Sequence, residues 1–305
     1  SVHSELANAL DSVELQQMMG WLATQYQRLA AKAERDRSPI FIFDDLKKSD
    51  EFQQWVTDHL DEIIKAAQST TQYGKVLRID QHAIQNYVLL DFILDTGNAA
   101  GQNMVTLATN VACEYIRQET GHKFFLDSNL ASDKKASSRN MILGRGHGVI
   151  AETHITKSVM ARVLNVDPDF VIENWTYFPI VSAMAGTLGN AIHASNALTA
   201  MYIATGQDTA CVAENSVGHF TVEKVDDGIT WRLTLPSMTV GTVGGGTRLN
   251  QQQQNLQLLG CDSSEHSSRK LAEIIASAAL GLEISLGSAI MSHTWTSAHM
   301  KYGRK

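Results

Sequence analysis

The stretch NWTYFPIVSAMAGTLGNAIHASNALTAMYIATGQ, residues 174–207, holds no Lys, Arg, Asp or Glu in 34 consecutive positions. So long an uncharged run belongs inside a protein. Asn190, His193, Asn196 and the scattered glycines and serines exclude it from a lipid bilayer, and Pro179 interrupts its helical period early. Small residues from Ser182 to Ala204, among them Ala183, Gly186, Gly189, Ala194 and Ala197, permit close approach on several sides. The stretch therefore predicts a long buried central helix packed all round. Asp208, the first charge after it, then ends a buried element and needs either a cation, most economically a lysine, or a helix-end hydrogen bond.

Working outward, the segment from Ser38 to Leu126 alternates in a different rhythm. An apolar run Ile40–Phe43 precedes a helix-like stretch Ser49–Ala67. Lys75–Ile79 and Tyr87–Leu94 read as strands, Gly101–Thr120 has helical periodicity, and Lys123–Leu126 is a short strand. The order βαββαβ is that of a ferredoxin-like split βαβ unit, here inserted in a larger domain. Downstream, His219–Val225 and Thr230–Leu235 suit strands, and helices are expected at Asn250–Leu259 and from Ser267 to about Ser292. The predicted class is α+β: an N-terminal helix over residues 1–36, an inserted domain over 37–127, and a large domain over 128–305 built round the central helix.

Composition limits the function classes. With 25 Lys plus Arg and 32 Asp plus Glu the net charge is 25 − 32 = −7, and no basic stripe offers itself to phosphate, so nucleic acid is not an expected partner. The basic end Lys301–Lys305 reads as a solvated tail. Cys113, Cys211 and Cys261 form no CxxC pair, which excludes a disulfide framework or zinc knuckle and fits a reducing cytoplasm. Residues 1–36, with Glu5, Asp11, Glu14, Arg28 and Lys32, are too polar for a signal peptide or membrane span. Ser1 reads as a processed or cut end. No HxxxH or EF-hand spacing points to a metal, and no GxSxG to a serine nucleophile.

Four local features could carry chemistry. Val240-Gly-Thr-Val-Gly-Gly-Gly-Thr247 lies between a strand and a helix and is either an anion cradle or a turn with close packing; without GxGxxG and a ribose-binding acid it is not a Rossmann loop. Asn98-Ala-Ala-Gly-Gln-Asn-Met104 opens a helix, as a plain cap or as a pyrophosphate site. Asp133-Lys-Lys135 is a solvated charge run or the source of a lysine for a developing oxyanion. His299 stands in a polar C-terminal stretch where a flap could bring it to a site, while His193 reads as a core histidine.

In this order, together with Ser182-Ala-Met-Ala-Gly186 and Ala204-Thr-Gly-Gln-Asp208, these motifs resemble the class I hydroxymethylglutaryl-coenzyme A reductases from about Arg37 to the C-terminus. The resemblance implies an inserted ferredoxin-like domain that binds NADPH, with NADH as the alternative, and a large domain that binds an acyl-coenzyme A thioester. It implies Lys134 as catalytic lysine, Asp208 as its partner and His299 as the acid for the departing thiolate. Asn98, Gly101, Asn103 and Met104 then belong to the cofactor loop, and Arg37, Lys135 and Asn196 to the substrate pocket. It further implies reduction to mevalonate in two hydride transfers, in a homodimer or higher assembly with sites between subunits.

The sequence departs from the family in several places. The Glu-Asn-Val-Ile-Gly segment with the fourth catalytic residue and the Thr-Thr-Glu-Gly segment are not found in residues 1–34 and are expected upstream. Asn98 replaces an aspartate and Ala100 a methionine. Tyr177 and Asp127 stand where a lysine and a serine grip the distal carboxylate, which opens as an alternative a thioester lacking that carboxylate; the missing glutamate and Asn98 open another, a non-catalytic homologue serving as a binding scaffold.

Overall fold

The structure is a computed structural model that describes residues 34–262 and 265–294. Most of the expected N-terminal helix, and His299, lie outside these residues. Glu34, Arg35 and Asp36, placed in that helix by the sequence, instead begin strand β1, Glu34–Arg37. Paired with β4, this strand buries Arg35 and Asp36 against partners far along the chain.

The first sheet holds β1, β2 (Ile40–Ile42), β3 (Lys75–Ile84), β4 (Tyr87–Asp95) and β5 (Phe124–Phe125). β4 is central. It pairs antiparallel with β3 on one side and with β1 and β2 in succession on the other, and β2 pairs in turn with β5. Its run of apolar residues is buried from Val88 to Leu94 because both faces are covered. The stretch expected as one helix before β3 is two, α1 (Leu46–Asp58) and α2 (Leu60–Gln68), broken at His59. Asp45 caps α1 by accepting from the Lys48 amide at 2.9 Å. α3, Gln102–Thr120, completes the order βαββαβ. Phe41, Phe52, Ile63, Leu90, Ala108 and Ile116 share its apolar core.

The second sheet is antiparallel in the order β6-β8-β7, with β6 His147–Thr156, β7 His219–Val225 and β8 Gly228–Met238. The alternation along β6, with Val149, Ala151, Thr153 and Ile155 inward, is a strand signal the sequence reading passed over. Shorter helices connect the two sheets and follow β6: α4 (Ser138–Leu143), α5 (Pro168–Trp175), α6 (Tyr177–Met184), α7 (Ala194–Thr205) and α8 (Val212–Asn215). α9, Asn250–Leu258, and α10, Ser267–Met291, close the described chain.

The long buried helix is present, but it is α10. Leu271, Ile275, Ala279, Leu280 and Ile284 of α10 join Trp231, Leu233 and Phe220 in a second core, separate from the first. The uncharged stretch 174–207 is instead two short helices with a bend between. Gly186 and Gly189 take φ of +72° and +80°, which ends helical geometry there, and Tyr177, Ile180, Val181 and Met184 on α6 face outward. Only α7 presents a buried face, through Ala194, Ala197, Leu198 and Tyr202. Its first turn has no cap from its own neighbours. Glu283 of α10 supplies one, accepting from the amides of Ile192 at 2.9 Å and of His193 and Ala194 at 2.7 Å each. Burial raises the pKa of this carboxyl while the three amide bonds work the other way.

Candidate active site

A cavity of about 450 Å³ opens where the two sheets meet. Its walls are residues 99–104, 206–208 and the glycine loop at 241 and 243–247. The glycine loop is sewn to its neighbours by backbone. Gln207 bonds both the N–H and the C=O of Gly241 at 2.9 Å, and the Thr242 amide donates to the Asn98 carbonyl at 2.8 Å. A Cβ on Gly241 would stand 2.3 Å from the Ala100 nitrogen, and one on Gly246 would stand 2.6 Å from the Gly206 oxygen. Gly244 and Gly245 have φ of +81° and +54° and face open space. The close-packing reading therefore holds for the flanks of the motif, while its middle is open.

Opposite lies the start of α3. Gly101 precedes it with φ +80°, and no side chain caps its first amides, which leaves donors for an anion. Arg35 fixes this loop from behind, its Nε donating to the Ala100 carbonyl at 2.6 Å. Burial, with Arg145 near by, lowers the Arg35 pKa to about 10.

At the edge of the cavity Lys134 Nζ stands 2.8 Å from Asp208 Oδ2. The lysine expected as partner to Asp208 is thus in place, but the pair is about 40% exposed rather than buried, because the segment leading to Asp208 is not a buried helix. The hydrogen bond to Asp208 raises the Lys134 pKa, so the ammonium persists through neutral pH. Lys134 takes φ +59°, unusual for a residue with a Cβ, within a turn closed by the Lys135 amide on the Ser132 carbonyl at 3.1 Å.

Beneath the turn runs a charge network that no local spacing announces. Asp133 meets Arg145 at 3.1 Å and Arg37 at 3.5 Å. Arg145 also bonds Glu214 at 3.0 Å and Asp36 at 2.6 Å. Burial alone would depress the Arg145 pKa, and Glu214, Asp36 and Asp133 more than offset it. Arg139 joins Asp36 at 2.5 Å and also pairs with Asp91, an acid buried in β4. Within this network each charge has an opposite partner, and the network ties the five-stranded sheet to the segment 127–145 and to Glu214.

The other expected residues are placed as follows. Gly101, Asn103 and Met104 line the cavity. Asn98 does not: its Oδ1 accepts from the Ser268 amide and hydroxyl at 3.1 Å each, and its Nδ2 donates to the Glu265 carbonyl, which anchors the start of α10. Arg37 is bonded to Asp127 at 2.5 Å, and Lys135 Nζ to the Asp133 carbonyl at 3.0 Å. Asn196 is exposed and bonds His193 Nδ1 at 2.7 Å, so His193 is a helix-start residue, half-buried, rather than a core one. Gln102, Cys211, Glu214 and Arg145 were not singled out by the sequence reading.

The site thus joins a lysine–aspartate ion pair, the uncapped first amides of a helix and a glycine-lined cavity. Comparison with known proteins specifies it further. The family model described as hydroxymethylglutaryl-coenzyme A reductase matches residues 26–304. The 3-hydroxy-3-methylglutaryl-coenzyme A reductase of Haloferax volcanii is 37% identical over 90% of this chain and 69% of its own length. That of Methanocaldococcus jannaschii is 35% identical over 83% and 64%. Among solved structures, the class II reductase of Streptococcus pneumoniae bound to NADPH shares the fold, with a TM-score of 0.63 at 17% identity, over 84% of this chain and 63% of that one. The chain belongs to the hydroxymethylglutaryl-coenzyme A reductase family, and it spans about two thirds of the length of these relatives.

Proposed function

We propose that this chain is the catalytic body of an NADPH-dependent reductase that converts hydroxymethylglutaryl-coenzyme A to mevalonate. The observation that carries the proposal is the Lys134–Asp208 pair at 2.8 Å on the lip of the cavity. The residues present suit the dinucleotide: the uncapped amides at Gly101–Asn103 offer bonds to a pyrophosphate, and Gly244 and Gly245 leave room beside them. When bound, NADPH supplies the hydride.

The protein's own part is to hold charge and protons. The thioester carbonyl sits against Lys134 Nζ, whose ammonium donates to the oxygen as it becomes an alkoxide. Asp208 keeps Nζ aimed and charged. His299 protonates the departing thiolate as the hemithioacetal collapses to the aldehyde. A second reduction at the same carbon, with Lys134 again at the oxygen, gives the primary alcohol. Each turnover takes up two hydrides and two protons and releases coenzyme A and the alcohol.

Residues 37–127, with their own core, form the cofactor-binding domain, and 128–305 the substrate domain. The outward apolar residues of α6 suit a subunit interface, in keeping with a homodimer or larger assembly with shared sites. Three unpaired cysteines fit a cytoplasmic setting.

The test is loss of reduced-nicotinamide absorbance in the purified protein on addition of hydroxymethylglutaryl-coenzyme A. No oxidation with this or any other acyl-coenzyme A would overturn the proposal. A second reading follows from Asp127, which occupies Arg37 at 2.5 Å and repels a substrate carboxylate. On that reading a neutral acyl thioester shows the higher kcat/KM.

A further inference from the structure

Gln102 is the first residue of α3, so its backbone belongs to the loop that faces the cavity. Its side chain turns the other way. Nε2 donates to Asp133 Oδ1 at 3.4 Å and to Cys211 Sγ at 3.1 Å. Asp133 directly precedes Lys134, and the Lys134 backbone holds the left-handed φ of +59°, a conformation kept only where neighbours fix it. Cys211 belongs to the turn of Asp208: its amide donates to the Asp208 carbonyl at 3.0 Å, and the Ala210 amide to Asp208 Oδ1 at 3.1 Å. One side chain thus touches the supports of both members of the ion pair, while its main chain lines the anion loop.

We propose that Gln102 is a positioning residue that couples occupancy of the 99–104 loop to the Lys134–Asp208 pair. This inference rests on the cavity being the dinucleotide site. The contact with Asp133 is longer than the ordinary N–H···O distance of about 2.9 Å. A shift of a few tenths of an ångström at the start of α3, as its amides close on a pyrophosphate, brings the amide onto the carboxylate at full strength. Asp133 is otherwise anchored by Arg145 and Arg37, so the added bond fixes the Asp133–Lys134 peptide and with it the direction of Nζ. By linkage the effect is reciprocal: a thioester held by Lys134 tightens dinucleotide binding.

The test uses Gln102→Met, which keeps volume and removes the donor, with NADPH as the probe. In the wild-type protein NADPH alone slows hydrogen exchange at amides 132–135. In the variant this protection is lost and kcat falls about tenfold, the loss expected from one charge-assisted bond, with any rise in the KM for NADPH accompanying that fall as the linkage requires. Gln102→Asn, whose amide is one carbon short of Asp133, gives the same result and replaces the methionine variant should that one fail to fold. Wild-type kcat with unchanged protection overturns the inference, as does a raised KM with kcat intact, which makes Gln102 an ordinary binding residue. Wild-type protein in which NADPH leaves 132–135 unprotected overturns it whether or not a thioester is reduced. Absence of turnover with protection present overturns the functional proposal alone.

Discussion

Replacing Glu283 with alanine tests whether a carboxylate on one helix holds the beginning of another. Glu283 is fully buried on α10 and accepts three amide hydrogens from Ile192, His193 and Ala194 at 2.7 to 2.9 Å. Truncation orphans all three donors and opens a space the size of a carboxymethyl group. An unsatisfied buried amide costs about 1–3 kcal/mol. Since residues 191–193 are half-buried, the lower end applies, for about 3–4 kcal/mol in all. For a chain of this size that lowers the melting temperature by about 10 °C. Glu283→Gln keeps one oxygen for His193 and Ala194 but turns an NH2 toward the Ile192 amide, and should lose about 1–2 kcal/mol. Urea unfolding followed by circular dichroism measures both, and the slope should not change. An alanine variant within about 1 kcal/mol of wild type would refute the capping argument.

Three further outcomes are expected. Burial, with Arg35 near by, pushes the His147 pKa down from 6.5 to about 4, so the folded protein resists a proton that the unfolded chain accepts. The stability that neutral His147 contributes is present above pH 6.5 and lost as pH falls through 4, by up to about 3 kcal/mol. His147→Gln should flatten that part of the stability profile, and equal slopes in both proteins would contradict it. Lys134→Ala should cut thioester reduction by about 10² to 10⁴ with little change in melting temperature, since the side chain is about 39% exposed; a large loss of stability would show a structural role instead. Gly241→Ala should disrupt the cavity, its Cβ meeting the Ala100 nitrogen at 2.3 Å, whereas Gly244→Ser meets no neighbour and strains only φ; comparable NADPH affinity in the two would refute the division of the loop into packed and open parts.

Much of the fold was legible where periodicity is local. β7, β8, α9, α10 and the order βαββαβ follow from alternation and helical spacing within single segments. The run 174–207 misled because lack of charge marks an apolar segment, not a buried one: Tyr177, Ile180, Val181 and Met184 are uncharged and outward-facing. Pro179 and the positive-φ glycines carried the better signal. Within the site, Lys134 and Asp208 were found as a pair through charge economy and resemblance. Arg145, Glu214 and Gln102 were not, because their partners lie 12 to 109 residues away and such pairs have no spacing to read. Glu283 did leave a trace, a single acid in the apolar run Leu280–Leu286, where only a fixed partner could hold it.

The cap that Glu283 places on α7 also sets a clock. Donor and acceptor lie about 90 residues apart, so at translation rates of about 5 to 20 residues per second the segment leading to Asp208 waits roughly 5 to 20 s for the carboxylate that seats it. A nascent chain stalled before α10 holds Lys134 and Asp208 in its sequence yet has no completed scaffold to bring them together. Of the described helices, the last to leave the ribosome is the one that seats the segment leading to Asp208.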